Sequence, residues 1–258
     1  MASLIHSTAI IDSHAELAPD VEVGPYCVIG PEVKIGKGSK LHSHVVVTGK
    51  TRIGEGNILF PFVCLGAEPQ DLSYKNEPTS VEIGDRNVFR ESCTVHRGTI
   101  RDRGITTIGN DNFLMAYCHV AHDCVVGNNT QMANQTALAG HVEVQDHVVI
   151  GGLSAVVQKC RIGAFSFIGG ATIMRRDLPP FMAAKEFSAV SGPNLVGLRR
   201  RKLADDEIRV ISEVYKIFYL GHLKTEEALT AIEGRFPESP SAKRFIEFVR
   251  NTKVGVQR

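Results

Sequence analysis

An aliphatic residue returns every six positions along most of the first 174 residues, and that period decides the fold class. The series runs Ile5, Ile11, Leu17, Val23, Ile29, Ile35, Leu41, Val47, Ile53, Leu59 and Leu65, resumes at Ile83, Phe89 and Val95, and runs again from Ile108 to Met174. Gly often follows the aliphatic, as in Ile29-Gly30 and Ile53-Gly54. A small or β-branched residue often sits four places after it, as at Cys27, Val33 and Val45. A period of six is neither the 3.6 of a helix nor the simple alternation of a strand. It fits a short strand plus a turn, with each aliphatic pointing into a prism. Three hexads then make one triangular coil, and coils stack by parallel pairing. Two breaks interrupt the count. The first, about Ala67 to Val81, leaves it in phase; the second, Arg101 to Thr107, shifts it by one residue. Both read as loops, near 67–81 and 101–107, extruded from a regular stack.

Composition agrees. Trp is absent and aromatics are 7% of the 258 residues, which favours a repetitive aliphatic core over an ordinary α/β one. The net charge of +1 lacks the basic excess of a nucleic-acid binder. No apolar run approaches the roughly 20 residues of an integral membrane segment, and the first residues lack the pattern of a signal peptide. The expected location is cytoplasmic. Five of the six cysteines (Cys27, Cys93, Cys118, Cys124 and Cys160) occupy the small fifth position of a hexad, and none forms a C-x-x-C pair. They read as core residues rather than as a disulfide framework or metal ligands.

The repeat ends near Pro179-Pro180. Phe181 to Leu203 reads as irregular and carries the basic run Arg199 to Lys202. From Asp205 the period becomes helical, with Ile208, Ile211, Tyr215 and Phe218 on one face and Gly221 as a stop. Thr225 is expected to cap a second helix and Ser241 a third. The expected architecture is mainly β, a parallel β-helix of hexapeptide repeats over 1–180, followed by a linker and C-terminal α-helical domain over 181–258.

Repeat arithmetic also gathers polar groups. His122, Gly140 and Gln158 each hold the third place of a hexad, one coil apart, and in the next column Asp123 lies under His141. Histidine is suited to proton transfer near neutral pH, and a glycine N–H with little steric cover can receive a developing oxyanion. The bland alternative is polar residues capping turns on a prism surface.

The hexads resemble the hexapeptide-repeat acyltransferases, whose coils are left-handed, an exception to the usual crossover preference. A closer resemblance, over nearly the whole chain, is to the UDP-N-acetylglucosamine O-acyltransferase family of lipid A (lipopolysaccharide) biosynthesis. It is carried by Gln70-Asp71-Leu72, His96-Arg97-Gly98-Thr99, His119-Val120-Ala121-His122-Asp123-Cys124, Ala137-Leu138-Ala139-Gly140-His141-Val142 and Asn194 through Arg200. The resemblance implies transfer of an (R)-3-hydroxyacyl chain from acyl carrier protein to the 3-position of a UDP-amino-sugar, UDP-N-acetylglucosamine, in a homotrimer. It makes His122 the general base and Gly140 the oxyanion donor, with Asp123 or His141 in support. Gln70 and Asp71 would hold the sugar, and Asn194, Arg200 and Arg201 the UDP. His96, His119 and Gln158 would line the cleft, and Gly170 would leave room for a long acyl chain. Arg175 and Arg176, with the tail's basic run, could attract the acidic carrier protein. No cofactor is implied, since the acyl group rides on the carrier's phosphopantetheine. No metal is implied either, although His96, His119 and His122 could be gathered across a trimer as in the γ-class carbonic anhydrases.

The chain departs from the family pattern at Val157 (usually His), Ser73 (usually Lys), Val196 (usually Glu) and the segment Lys185 to Ser188. These changes surround the sugar–nucleotide and carrier site, so a UDP-3-amino-sugar acceptor giving an amide is an alternative. An acetyl-CoA-dependent acetyltransferase and a non-catalytic trimeric scaffold are the further rivals.

Overall fold

A computed structural model describes residues 4–185 and 189–258. The segment 186–188, where the family pattern is altered, lies outside the described residues. Strands of mostly two to four residues stack in three parallel faces of a left-handed β-helix. Among the described residues, face I holds nine strands, from Ile10–Ile11 to Ile173–Met174. Face II holds eight, from Glu16–Leu17 to Arg161–Ile162. Face III holds ten, from Glu22–Val23 onward, including Met182–Lys185 and Ala189–Pro193.

The register explains the sequence count. Regular coils pair residues 18 apart, as Asn110 with Asn128. Across the first loop the spacing is 30, as Asn57 with Asn87, an excess of two whole hexads that keeps the phase. Across the second it is 25, as Asn87 with Asn112, an excess of seven that shifts it by one. The first loop leaves after Cys64–Ala67 and returns at Ser80–Ile83; the second leaves after Thr94–His96 and returns at Ile105–Ile108. Both therefore leave from the edge joining face I to face II.

The hexad aliphatics fill the prism: Leu65, Val95, Val120 and Leu138 are fully buried. Toward the N-terminal end of the described stack the count continues, and Ile5 is 42% exposed. Most turns place one residue in the left-handed region, and here these are seldom glycine: Asp123 has φ 60° and His141 φ 63°. That conformation costs roughly 1–2 kcal/mol per residue, offset by the ladder bonds and core burial of each coil. The five fifth-position cysteines are buried free thiols, and Cys93 and Cys118 donate to backbone carbonyls. The fifth position between faces II and III carries a buried amide ladder instead. The Asn87 side chain donates to Asn57 Oδ1 at 3.1 Å and to the Gly109 carbonyl at 2.9 Å, and its Oδ1 accepts from the Asn112 N–H at 2.9 Å.

Within the segment expected to be irregular, the described residues form regular elements. Met182–Lys185 extends face III beside Phe167–Ile168 and pairs antiparallel with Ala189–Pro193. Helix α1 follows over Leu195–Arg200. Helix α2 is Asp205–Tyr215, continued by a π-turn Lys216–Leu220 that stops at Gly221. Helix α3 is Thr225–Arg235 and α4 is Pro240–Arg250. Two expected caps move. Lys224 precedes α3, its N–H donating to the Glu227 carboxylate at 3.1 Å. Ser239, not Ser241, caps α4 by accepting from the Ala242 N–H, because Pro240 fills the first helical position where no donor is needed. Asp177 ties the tail to the last coil, accepting from the Arg161 N–H and the Thr252 hydroxyl, each at 2.8 Å. Among the described residues, no helix is long and apolar enough to cross a membrane.

Candidate active site

Residues one coil apart stack along the edge between faces I and II, and that stacking assembles the site. Val120 pairs with Leu138, so His122 lies over Gly140 and Asp123 beside His141. A side chain at 140 would not fit: its Cβ would fall 2.5 Å from His122 Cε1 and 2.6 Å from Nε2. The imidazole occupies the space that only glycine leaves. The Gly140 N–H has no acceptor among the described residues.

His122 Nδ1 and Asp123 Oδ2 are 2.9 Å apart, with the carboxylate side chain fully buried and the histidine side chain 16% exposed. The second loop supplies the rest of the carboxylate's shell. The Thr99 N–H donates to Asp123 Oδ1 at 2.9 Å, and the Thr99 hydroxyl to Oδ2 at 2.7 Å. The Asp123 N–H donates to Thr106 Oγ1. A buried acid held by neutral donors fixes the ring with Nδ1–H inward and leaves Nε2 as the free nitrogen, the arrangement a histidine base requires. His141 stands at right angles to His122, ring centres 4.9 Å apart. Its Nδ1 meets Asp102 Oδ2 at 2.7 Å and Asp123 Oδ2 only at 3.8 Å. The donors of His122, Asp123 and His141 are close enough to hold a metal ion, but hydrogen bonds already account for how they are arranged. Within one chain, the described residues do not gather His96, His119 and His122 into such a cluster.

Above this pair sit His96 and His119, edge to face at 4.9 Å. Burial, then the neighbouring His119, His122 and Arg97, pushes His96 down to about 4; burial and His122 lower His119. His119 Nδ1 is 2.7 Å from Thr94 Oγ1, while His96 Nδ1 is buried without a partner among the described residues. The first loop brings Asp71 near His122. The Ser73 hydroxyl and N–H both donate to Asp71 Oδ1, and with the more distant charges of Arg101 and His122 they hold its carboxyl below the usual range. Ser73, one of the departures from the family pattern, thus orients Asp71. Gln70 is exposed on the same loop and Gln158 is exposed one coil below Gly140. Arg175 and Arg176 continue this edge, exposed.

Three candidates lie on a different edge. Asn194 caps α1 by accepting from the Gly197 N–H and donates to the Phe165 carbonyl, so both ends of its amide are engaged. Arg201 donates to the Asn129 carbonyl, and Arg200 is exposed beside it. These belong to the edge between faces II and III. Gly170 is exposed on the third edge, between faces III and I. A single chain does not bring them to His122. Sequence reading missed Thr99, Thr106 and Asp102, which orient the two histidines, and Arg97. The Arg97 guanidinium clamps the first loop through the Gly66 carbonyl and the Tyr74 hydroxyl. Arg97 and Thr99 stood inside a motif singled out from sequence, and Asp102 and Thr106 inside the second loop, where no role was assigned to them.

The family described as Udp N-acetylglucosamine O-acyltransferase, domain 2, matches residues 177–257, and six bacterial transferase hexapeptide repeats match 105–140. The acyl-[acyl-carrier-protein]–UDP-N-acetylglucosamine O-acyltransferase of Thermodesulfovibrio yellowstonii is 45% identical over 98% of this chain and 99% of its own. The solved structure of LpxA from Acinetobacter baumannii superposes with a TM-score of 0.96 at 44% identity, covering 99% of this chain and 100% of the other. The UDP-N-acetylglucosamine acyltransferase of Francisella novicida gives 0.96 at 35% identity, covering 98% and 94%.

Proposed function

The chain belongs to the family of acyl-[acyl-carrier-protein]–UDP-N-acetylglucosamine O-acyltransferases, and from that premise we propose that it transfers an (R)-3-hydroxyacyl chain from acyl carrier protein to the 3-hydroxyl of UDP-N-acetylglucosamine, a step of lipid A biosynthesis, with His122 as general base. The observation that carries the assignment of the base is the His122 ring seated on Gly140 and held by buried Asp123. His122 Nε2 takes the hydroxyl proton as the oxygen attacks the thioester carbonyl. The tetrahedral oxyanion is received by the Gly140 N–H. Collapse breaks the carbon–sulfur bond, and the leaving thiolate takes the proton back from His122. No resident cofactor enters this scheme, because the phosphopantetheine arrives with the carrier. The use of a carrier protein and a nucleotide sugar as substrates supports a cytoplasmic location.

The distribution of side chains favours a trimer. The outward row of face II is charged at Glu16, Lys34, Arg52, Glu82, Glu143 and Arg161, with ion pairs Lys34–Glu16 and Arg161–Glu143. Face I presents Ile10, Val28, Val46, Ala137, Ala155 and Ile173 outward, and face III Ile58, Val88, Phe113, Val149 and Phe167. The edge between those two faces exposes Tyr26, Phe62, Tyr117 and Leu153, each by more than half. Apolar surface of this extent calls for a partner. A three-fold arrangement with that edge at the axis sets face I of one copy against face III of the next. It also sets the His122 edge of one copy beside the edge of its neighbour that carries Arg200 and Arg201. The arginines then hold the UDP phosphates, Gln70 and Asp71 the sugar, and the acyl chain runs down the cleft past Gly170.

The test is turnover of (R)-3-hydroxyacyl carrier protein with UDP-N-acetylglucosamine by wild type and His122→Ala, read by product mass. Hydroxylamine lability separates an ester from an amide. Wild type is expected to give a hydroxylamine-labile product. His122→Ala is expected to lose at least about a hundredfold in kcat, in line with removal of a general base, with unfolding unchanged. Retained activity in His122→Ala removes the base assignment. Activity confined to acetyl-CoA, or to the 3-amino analogue of the sugar, replaces the substrate assignment.

A further inference from the structure

The second loop makes contacts that the acyl-transfer scheme above does not use. It is short, leaving after His96 and returning at Ile105, and it turns on itself through the Asp102 and Gly104 N–H groups, both donating to the Thr99 carbonyl. From this one turn, Thr99 reaches the carboxylate of Asp123, and Asp102 reaches Nδ1 of His141 at 2.7 Å. Arg101, between them in sequence, lies 3.9 Å from Asp71 on the first loop. The loop thus bonds the carboxylate partner of His122, supplies that of His141, and reaches the residue beside the sugar site.

We propose that Asp102 is a positioning residue that holds His141 with its proton on Nδ1, so that Nε2 offers a lone pair to a hydroxyl of the acceptor sugar. The proposal rests on the acyl-transfer reading for the identity of the sugar and on the loop geometry for the rest. His141 has two carboxylates to choose between. Asp123 at 3.8 Å is beyond hydrogen-bond reach and already accepts from Thr99 and His122, while Asp102 is within reach and accepts from no other group among the described residues. With Nδ1 donating to Asp102, the neutral ring's remaining nitrogen can only accept. His141 Nε2 has no partner among the described residues. Two parallel Asp–His pairs result, Asp123–His122 for the proton in flight and Asp102–His141 for a second hydroxyl. A sugar hydroxyl donates to the second while its neighbour is deprotonated by the first. Asp102 itself touches no reacting atom, so its effect should reach substrate binding through His141 alone.

Four variants and two readouts test this. Asp102→Ala should raise KM for UDP-N-acetylglucosamine about ten- to a hundredfold, the size of effect that follows when a positioning contact is lost, with a smaller change in kcat. Asp102→Asn, which keeps an oxygen acceptor, should recover most of that loss. In a His141→Ala background, Asp102→Ala should add nothing. Independently of turnover, spectra of 15N-histidine-labelled protein should show the His141 ring as the Nδ1–H tautomer in wild type and as a mixture or the Nε2–H tautomer in Asp102→Ala. Wild-type kinetics in Asp102→Ala, a full second loss on top of His141→Ala, or an unchanged tautomer would each overturn the proposal. If wild type fails to turn over UDP-N-acetylglucosamine at all, the substrate reading falls, and the ring spectra still decide whether Asp102 sets His141.

Discussion

At Gly140 two demands meet on one residue. The His122 ring needs the volume that a Cβ would fill, and an oxyanion needs an unhindered N–H. Gly140→Ala is therefore expected to reduce kcat about a hundredfold or more, comparable to loss of an oxyanion donor, while the melting temperature falls less steeply, since the group that must yield is the His122 side chain and not the backbone. Steady-state kinetics beside calorimetry checks this; near-wild-type kcat would mean that the ring and the glycine do not share the site. The column His122–Gly140 was legible in the sequence because register in a stacked coil is arithmetic. Asp102 and Thr99 were not, because they act from an extruded loop whose turns obey no period. Asp123 was read as a possible orienter, but the hydroxyl and N–H that hold it come from that same loop.

Among the elements, the hexads translated directly into strands, since an inward aliphatic and a small turn residue are both required in every coil. The phase across each loop was equally readable. What the period could not show was which small polar residues bond to one another. The fifth position between faces II and III reads simply as small or polar, yet Asn57, Asn87 and Asn112 form a buried amide ladder. Asn87→Ala would leave the Asn112 N–H and the Gly109 carbonyl without their partner in the core. We expect a loss of about 2–4 kcal/mol, as for buried polar groups left unpaired, measured as a lower urea midpoint. A change under half a kcal/mol would show that water or the backbone replaces the ladder. The helical tail was less legible. Helix α1 is only six residues and contains Gly197, so it carries too little periodic signal. The cap of α4 was displaced by two residues, although Ser239-Pro240 carried the marker of a helix start.

For the whole molecule, the sequence suggested a trimer through family resemblance, while the folded chain supplies a physical reason. One face is charged along most of its length, the other two are largely apolar apart from the Glu22–Lys40 pair and Gln131 on face III, and the groups assigned to catalysis and to nucleotide binding stand on different edges of the same prism. A working site assembled in this way takes His122 from one copy and Arg200 and Arg201 from the next. Neither a His122→Ala trimer nor an Arg200→Ala/Arg201→Ala trimer then contains an intact site, but a mixed trimer does wherever a normal His122 edge faces a normal arginine edge. Co-refolding the two inactive variants, confirming mixed trimers by native mass spectrometry, and assaying transfer from (R)-3-hydroxyacyl carrier protein to UDP-N-acetylglucosamine measures this directly. Random mixing is predicted to restore about a quarter of wild-type activity, the fraction of interfaces that pair two intact edges in a closed ring. Verified mixed trimers with no more activity than their parents would contradict a catalytic cleft shared between copies.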